Sequence, residues 1–152
     1  AASDVYKRQA DLYLMYAEAL NEKGEDYATV LPWIDMVRER SGLQGVKESW
    51  DQYVGNSKYA TQTGLRQIIM QERRIELAFE GHYFWDVRRW KTATTELTQP
   101  LTGWKVRYGE TDVDYYSENL VLVRDFTPKM YFWPIDIGEL RKDPNLVQNY
   151  GW

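Results

Sequence analysis

The stretch Glu72–Trp90 reads ERRIELAFEGHYFWDVRRW. Glu72, Glu76 and Glu80 stand four apart, so on a helix they share one face. Leu65, Ile68, Ile69, Ile75 and Phe79 recur at helical spacing beside them, which predicts a helix over 65–79. Gly81 breaks that helix, and a further one is predicted over 83–97. Gly81 with Phe84 three positions later repeats Gly24 with Tyr27, so 65–97 reads as a second helical hairpin.

The first hairpin lies at 10–42. Leu12, Met15, Tyr16, Ala19 and Leu20 mark a helix over 10–23 that Gly24 stops. Asp26 is a natural N-cap for a helix over 26–41, where Val30, Trp33, Ile34 and Val37 form one stripe and Gly42 is the stop. Arg8 to Ser41 spans about 34 residues, the tetratricopeptide period. Residues 43–64 read as an irregular connection. From 98 to 152 prolines and glycines discourage long helices. There 120–123 and 130–133 read as short strands or extended packing segments, and 135–140 as one helical turn. Residues 1–9 read as a non-native leader.

Composition narrows the function. The chain has 152 residues and a formal charge of −4, which argues against a nucleic-acid binder with a basic footprint. It has no Cys and one His, His82, which excludes thiol chemistry and argues against a catalytic triad or a multi-His metal site. No apolar run is long enough to span a membrane. Trp, Tyr and Phe make up 15% of the residues, a surplus over what a core of this size needs.

Four blocks resemble the C-terminal part of the SusD/RagB family. They are Ala10–Ala19; Val37–Gly42, similar to "vRxRaG"; Glu72–Trp90, similar to "ERRxELAFEG…fDxxRW"; and Pro134-Ile135-Asp136 with Asn145–Trp152, similar to "PIP…NpxLxQNpGW". Asp136, Tyr150 and the pair His82-Tyr83 depart from that pattern. The resemblance implies a mainly α fold, with tetratricopeptide-like hairpins and a loop-rich C-terminal segment. It implies non-catalytic capture of glycans or other nutrient oligomers at the cell surface. The anchor would be an outer-membrane lipoprotein whose lipidated Cys is not in this chain. The implied partner is a SusC-like TonB-dependent transporter, with the binding protein as a lid on the channel. No cofactor is implied.

Residue chemistry refines this expectation. Glu72, Glu76 and Glu80 on one helix, interleaved with Arg73 and Arg74, read as ion-pair partners rather than as the two facing carboxylates of a glycosidase. Asp86, Arg88 and Arg89 join the same network, whose work is to hold the hairpin geometry. His82 has the wrong offset from Glu80 for a di-metal bundle. Asp112 and Asp114 lack the rest of a calcium loop. The helical rings Tyr13, Tyr16, Trp33 and Trp85 read as core. Trp104, Tyr108, Tyr115 and Tyr116 lie in a Gly- and Asp-rich loop and are the glycan-stacking candidates. Trp50, Tyr53 and Tyr59 form a second set. The alternatives are a tetratricopeptide-type protein-interaction module and, last, a glycoside hydrolase fragment.

Overall fold

The structure, a computed structural model, describes residues 2–104 and 111–152. It is mainly helical and divides into two compact units, residues 1–83 and 84–152.

In the first unit, α1 (Ala2–Lys23) and α2 (Tyr27–Arg40) form a tight antiparallel hairpin, and α4 (Gln62–Glu76) packs across α1 and α2. The helix stops are local chemistry. Gly24, at φ +86°, donates its N–H to Asn21, and Glu25 donates to Leu20. Gly42, at φ +74°, repeats the arrangement with Glu39, and Leu43 with Arg38. Both are Schellman caps, in which the left-handed residue is ordinarily glycine. The Asp26 carboxylate accepts from Ala28 N–H at 2.8 Å and opens α2. Leu14 and Ala17 of α1, Val30, Ile34 and Val37 of α2, and Leu65, Ile68 and Ile69 of α4 close the core between the three helices. Asn21 is buried within this unit. Its amide donates to Gln62 O at 3.1 Å, while the Gln62 amide donates to Asn21 O at 2.7 Å, satisfying a C-terminal carbonyl of α1.

The connection read as irregular carries short helical structure: α3 (Val46–Ser49), a π-helical turn over Trp50–Val54 and a 3₁₀ turn over Lys58–Ala60. Asp35 of α2 anchors it by accepting from Val46 N–H at 2.7 Å. Burial pushes the Asp35 carboxyl up from its ordinary range, against the opposing effects of that hydrogen bond and of Arg38.

The helix expected over 83–97 is interrupted. It is α5 (His82–Arg89), then a left-handed Lys91 at φ +58°, then one turn, α6 (Ala93–Glu96). Lys91 N–H donates to Arg88 O and Thr92 N–H to Val87 O, the same cap that Gly24 and Gly42 make. No glycine or proline marks this stop, so the periodicity runs past it. The helix expected to reach Phe79 ends at Glu76 instead. Phe79 is left-handed at φ +64° and fully exposed, and Ile75 is exposed too, so neither shares the buried face assigned to it.

The second unit holds β1 (Leu101–Trp104), antiparallel to β2 (Glu118–Leu122), with Trp104 opposite Glu118 and a register shift between Leu101 and Thr102. Between them lies α7 (Asp112–Tyr115). Its core is small: Val87, Ala93 and Phe126, with Leu97, Met130 and Tyr131 against them. Pro128–Tyr131 is a 3₁₀ turn, not a strand, and it leads through extended Phe132 to Trp133. After α8 (Ile137–Lys142) the tail returns and clips this segment through its backbone. Gln148 donates to Ile135 O at 3.0 Å and accepts from Ile135 N–H at 2.8 Å. Asn149 donates to Trp133 O at 2.6 Å, and the Trp152 indole to Lys129 O and Phe132 O at 3.1 and 3.0 Å.

Candidate functional site

Three of the four stacking candidates come together. Trp104 ends β1. Tyr115 closes α7, where its N–H donates to Thr111 O, and Tyr116 follows it. The Trp104 and Tyr116 rings lie 5.9 Å apart at 81°, and Tyr115 and Tyr116 lie 5.1 Å apart at 84°. All three rings are exposed, Trp104 at 54% and Tyr116 at 64%. Edge-to-face packing holds each ring against the next. It also means the rings form steps rather than one flat strip, so a flat ligand stacks on one ring at a time. Tyr108 lies outside the described residues.

The charged set forms bridges between elements, apart from one pair within α5. Arg38 of α2 pairs with Glu72 of α4, while its Nε donates to Gln44 O at 2.8 Å and its Nη2 to Ser49 Oγ at 3.1 Å. Arg40 pairs with Glu76 at 2.5 Å. Arg73, only 3% exposed, reaches Asp11 of α1 at 2.8 Å. Buried Asp86 pairs with Arg89 one turn on at 2.7 Å. Glu72 and Glu76 therefore reach arginines more than thirty residues away in sequence, not their own helix neighbours. Glu80 lies past the end of α4, off the face that Glu72 and Glu76 share. Arg74 and Arg88 stand over the Tyr83 and Phe84 rings respectively. Glu72 and Glu76, each bound to an arginine on α2, do not face one another across a cleft as two glycosidase carboxylates would.

Two assignments of aromatics change. Tyr13 and Trp33 do pack on the core, but Tyr16 and Trp85 are exposed, Trp85 at 60%. In the second stacking set, Tyr59 is buried with its hydroxyl donating to Asp51 at 2.8 Å, and Trp50 packs against the core. Only Tyr53 faces solvent freely. Lys47 and the Tyr59 hydroxyl hold the Asp51 carboxyl below its ordinary range. Among the described residues no group of three His, Asp or Glu side chains converges on a metal position, and no helix is long and apolar enough to cross a membrane.

The fold matches a known architecture. The SusD family model matches residues 2–152, and the chain belongs to that family. SusD-like protein P25 of Formosa agariphila is 39% identical over 142 residues, which are 93% of this chain and 23% of that protein. A SusD-like protein from Bacteroides fragilis superposes with a TM-score of 0.75 at 30% identity, over 94% of this chain and 25% of that one. A SusD-like carbohydrate binding protein from the same organism gives 0.71 at 30% identity, over 91% and 27%. The chain thus spans about a quarter of the length of the relatives it matches.

Proposed function

We propose that this chain takes part in non-catalytic capture of glycans or similar nutrient oligomers at the cell surface. The protein would be an outer-membrane lipoprotein that hands its ligand to a SusC-like TonB-dependent transporter. The observation that carries the reading is the exposed cluster of Trp104, Tyr115 and Tyr116. Sugar rings pack their C–H faces on aromatic faces, and a ring already fixed by its neighbours loses little freedom on binding. Tyr108 belongs to the same candidate set. The carbohydrate-binding relative supports the ligand class, and family membership supports the transporter partnership.

Tryptophan fluorescence tests this, since the chain has seven tryptophans. Titration with a panel of soluble glycans is expected to give a saturable shift with one class, weakened about tenfold or more by Trp104→Ala. A flat response from the folded chain overturns a binding role for this cluster. A tetratricopeptide-type interaction module is the second reading, favoured by the exposed Leu12, Met15 and Tyr16 on α1. Peptide binding that is lost in Tyr16→Ala and retained in Trp104→Ala decides for it.

A further inference from the structure

A cleft of about 800 Å³ opens within the second unit, between the end of α5 and the segment 128–133. Trp85, Arg88 and Lys91 stand on one side, and Tyr131, Phe132 and Trp133 on the other. Three features set it apart from a patch of leftover apolar surface.

The first is charge. Among the described residues the lining holds Arg88, Arg89 and Lys91 and no carboxylate, in a chain whose net charge is −4. Asp86, the nearest acid in sequence, is committed to Arg89. Neither Arg88 nor Lys91 has a carboxylate within ion-pair distance among the described residues. A concave site lined by one sign of charge concentrates ligands of the other sign.

The second is preorganisation. The Arg88 guanidinium carbon sits 3.5 Å from the Phe84 ring centroid and 5.0 Å from that of Phe126, and its Nη1 donates to Phe84 O at 3.2 Å. Its buried Nε has no hydrogen-bond partner among the described residues. Lys91 occupies a left-handed cap position that glycine fills in the two other helix stops of this kind, at Gly24 and Gly42. A backbone cost is therefore borne at a cation on the cleft wall, and strain of that kind gathers at functional positions.

The third is the exposed indoles. Trp85 is 60% and Trp133 67% exposed, and the tail clip holds the Trp133 carbonyl through Asn149. The clip thus fixes the wall on which one stacking ring is mounted.

We infer that this cleft is a second sugar site, one that takes an acidic sugar. The ring face of a uronate stacks on Trp85 or Trp133, and its carboxylate is bound by Lys91 and Arg88. The inference rests on the glycan-capture reading and adds to it the charge class of the ligand.

The test titrates the whole chain with galacturonate, alginate and heparin oligosaccharides, with maltohexaose as the neutral probe and polyglutamate as an acidic non-sugar. At least one acidic oligosaccharide is expected to bind saturably. Lys91→Gln and Trp85→Ala should each weaken it about tenfold, a loss typical of a charge-assisted hydrogen bond or a stacked ring. Raising the salt should weaken it further. Trp104→Ala should change it less than about twofold, because sites without shared partners act independently. Circular dichroism of each variant confirms folding. Binding of maltohexaose alone, sensitive to Trp104→Ala but not to Lys91→Gln, overturns the acidic-sugar site and leaves the capture reading standing. Equal, Lys91-dependent binding of polyglutamate overturns the sugar assignment. No binding of any oligosaccharide overturns both.

Discussion

Lys91 is the residue at which local and functional demands part. Its left-handed backbone makes the same pair of cap hydrogen bonds as Gly24 and Gly42, but with a side chain attached. An L-residue there costs about 1 kcal/mol relative to glycine. Lys91→Gly is therefore expected to stabilise the chain by about that amount, measured as a higher denaturant midpoint with unchanged slope. The same variant loses the cleft cation, so stability and acidic-sugar affinity should move in opposite directions. An unchanged midpoint would show that surrounding contacts have already relieved the strain. Phe79 poses the same backbone problem at φ +64° with an exposed ring. The helical pattern placed Phe79 on the buried face because spacing does not reveal that α4 ends three residues earlier.

At the scale of elements, ion pairs do the work of register. Arg73 of α4 and Asp11 of α1 form a bridge that is nearly closed to solvent on the arginine side. Removing one member of a buried pair strands the other and costs about 3 kcal/mol or more. Arg73→Ala is expected to show a loss of that size. A double-mutant cycle with Asp11→Ala should give a coupling of about 1 kcal/mol or more. A coupling near zero would mean that packing alone sets how α4 lies on α1. By contrast, Glu22 and Arg66 join the same two helices at 2.5 Å while both are well exposed, and exposed pairs contribute well under 1 kcal/mol. The Arg66 hydrogen bond still holds the Glu22 carboxyl below its ordinary range. Sequence spacing identified Glu72, Glu76 and Arg73 as ion-pairing residues. It could not supply their partners, because Arg38, Arg40 and Asp11 lie on other helices.

Across the whole molecule, the two units differ in what they bury. Among the described residues the first unit closes twelve side chains into its core, from Ala10 to Ile69, and the second closes Val87, Ala93 and Phe126. Apolar burial is the main source of stability, so the units should open at different free energies. Amide hydrogen exchange is expected to be slower in α1, α2 and α4 than in α5, β1 and β2, by about a hundredfold for the most protected amides. Uniform protection would show instead that the chain opens as one cooperative body. A looser second unit is consistent with both candidate sugar sites lying there, since recognition surfaces are commonly drawn from the less stable parts of a fold.

The sequence alone determined what depends on neighbours within about four positions. It specified α2, the end of α1, the Asp26 cap and the Gly24 and Gly42 stops, because apolar spacing and capping chemistry act over one helical turn, but not that α1 begins at Ala2 rather than near Ala10. Its motif order also pointed to the family. The tertiary structure decided which rings meet water and which charges meet each other. Trp85 followed a core pattern yet faces solvent, and Tyr59 followed a loop pattern yet is buried. The cleft joins residues near 90 to residues near 130, and its wall is held by a tail near 150. Burial and electrostatic pairing are set by distances in space between segments far apart in the chain, and no local periodicity encodes those distances.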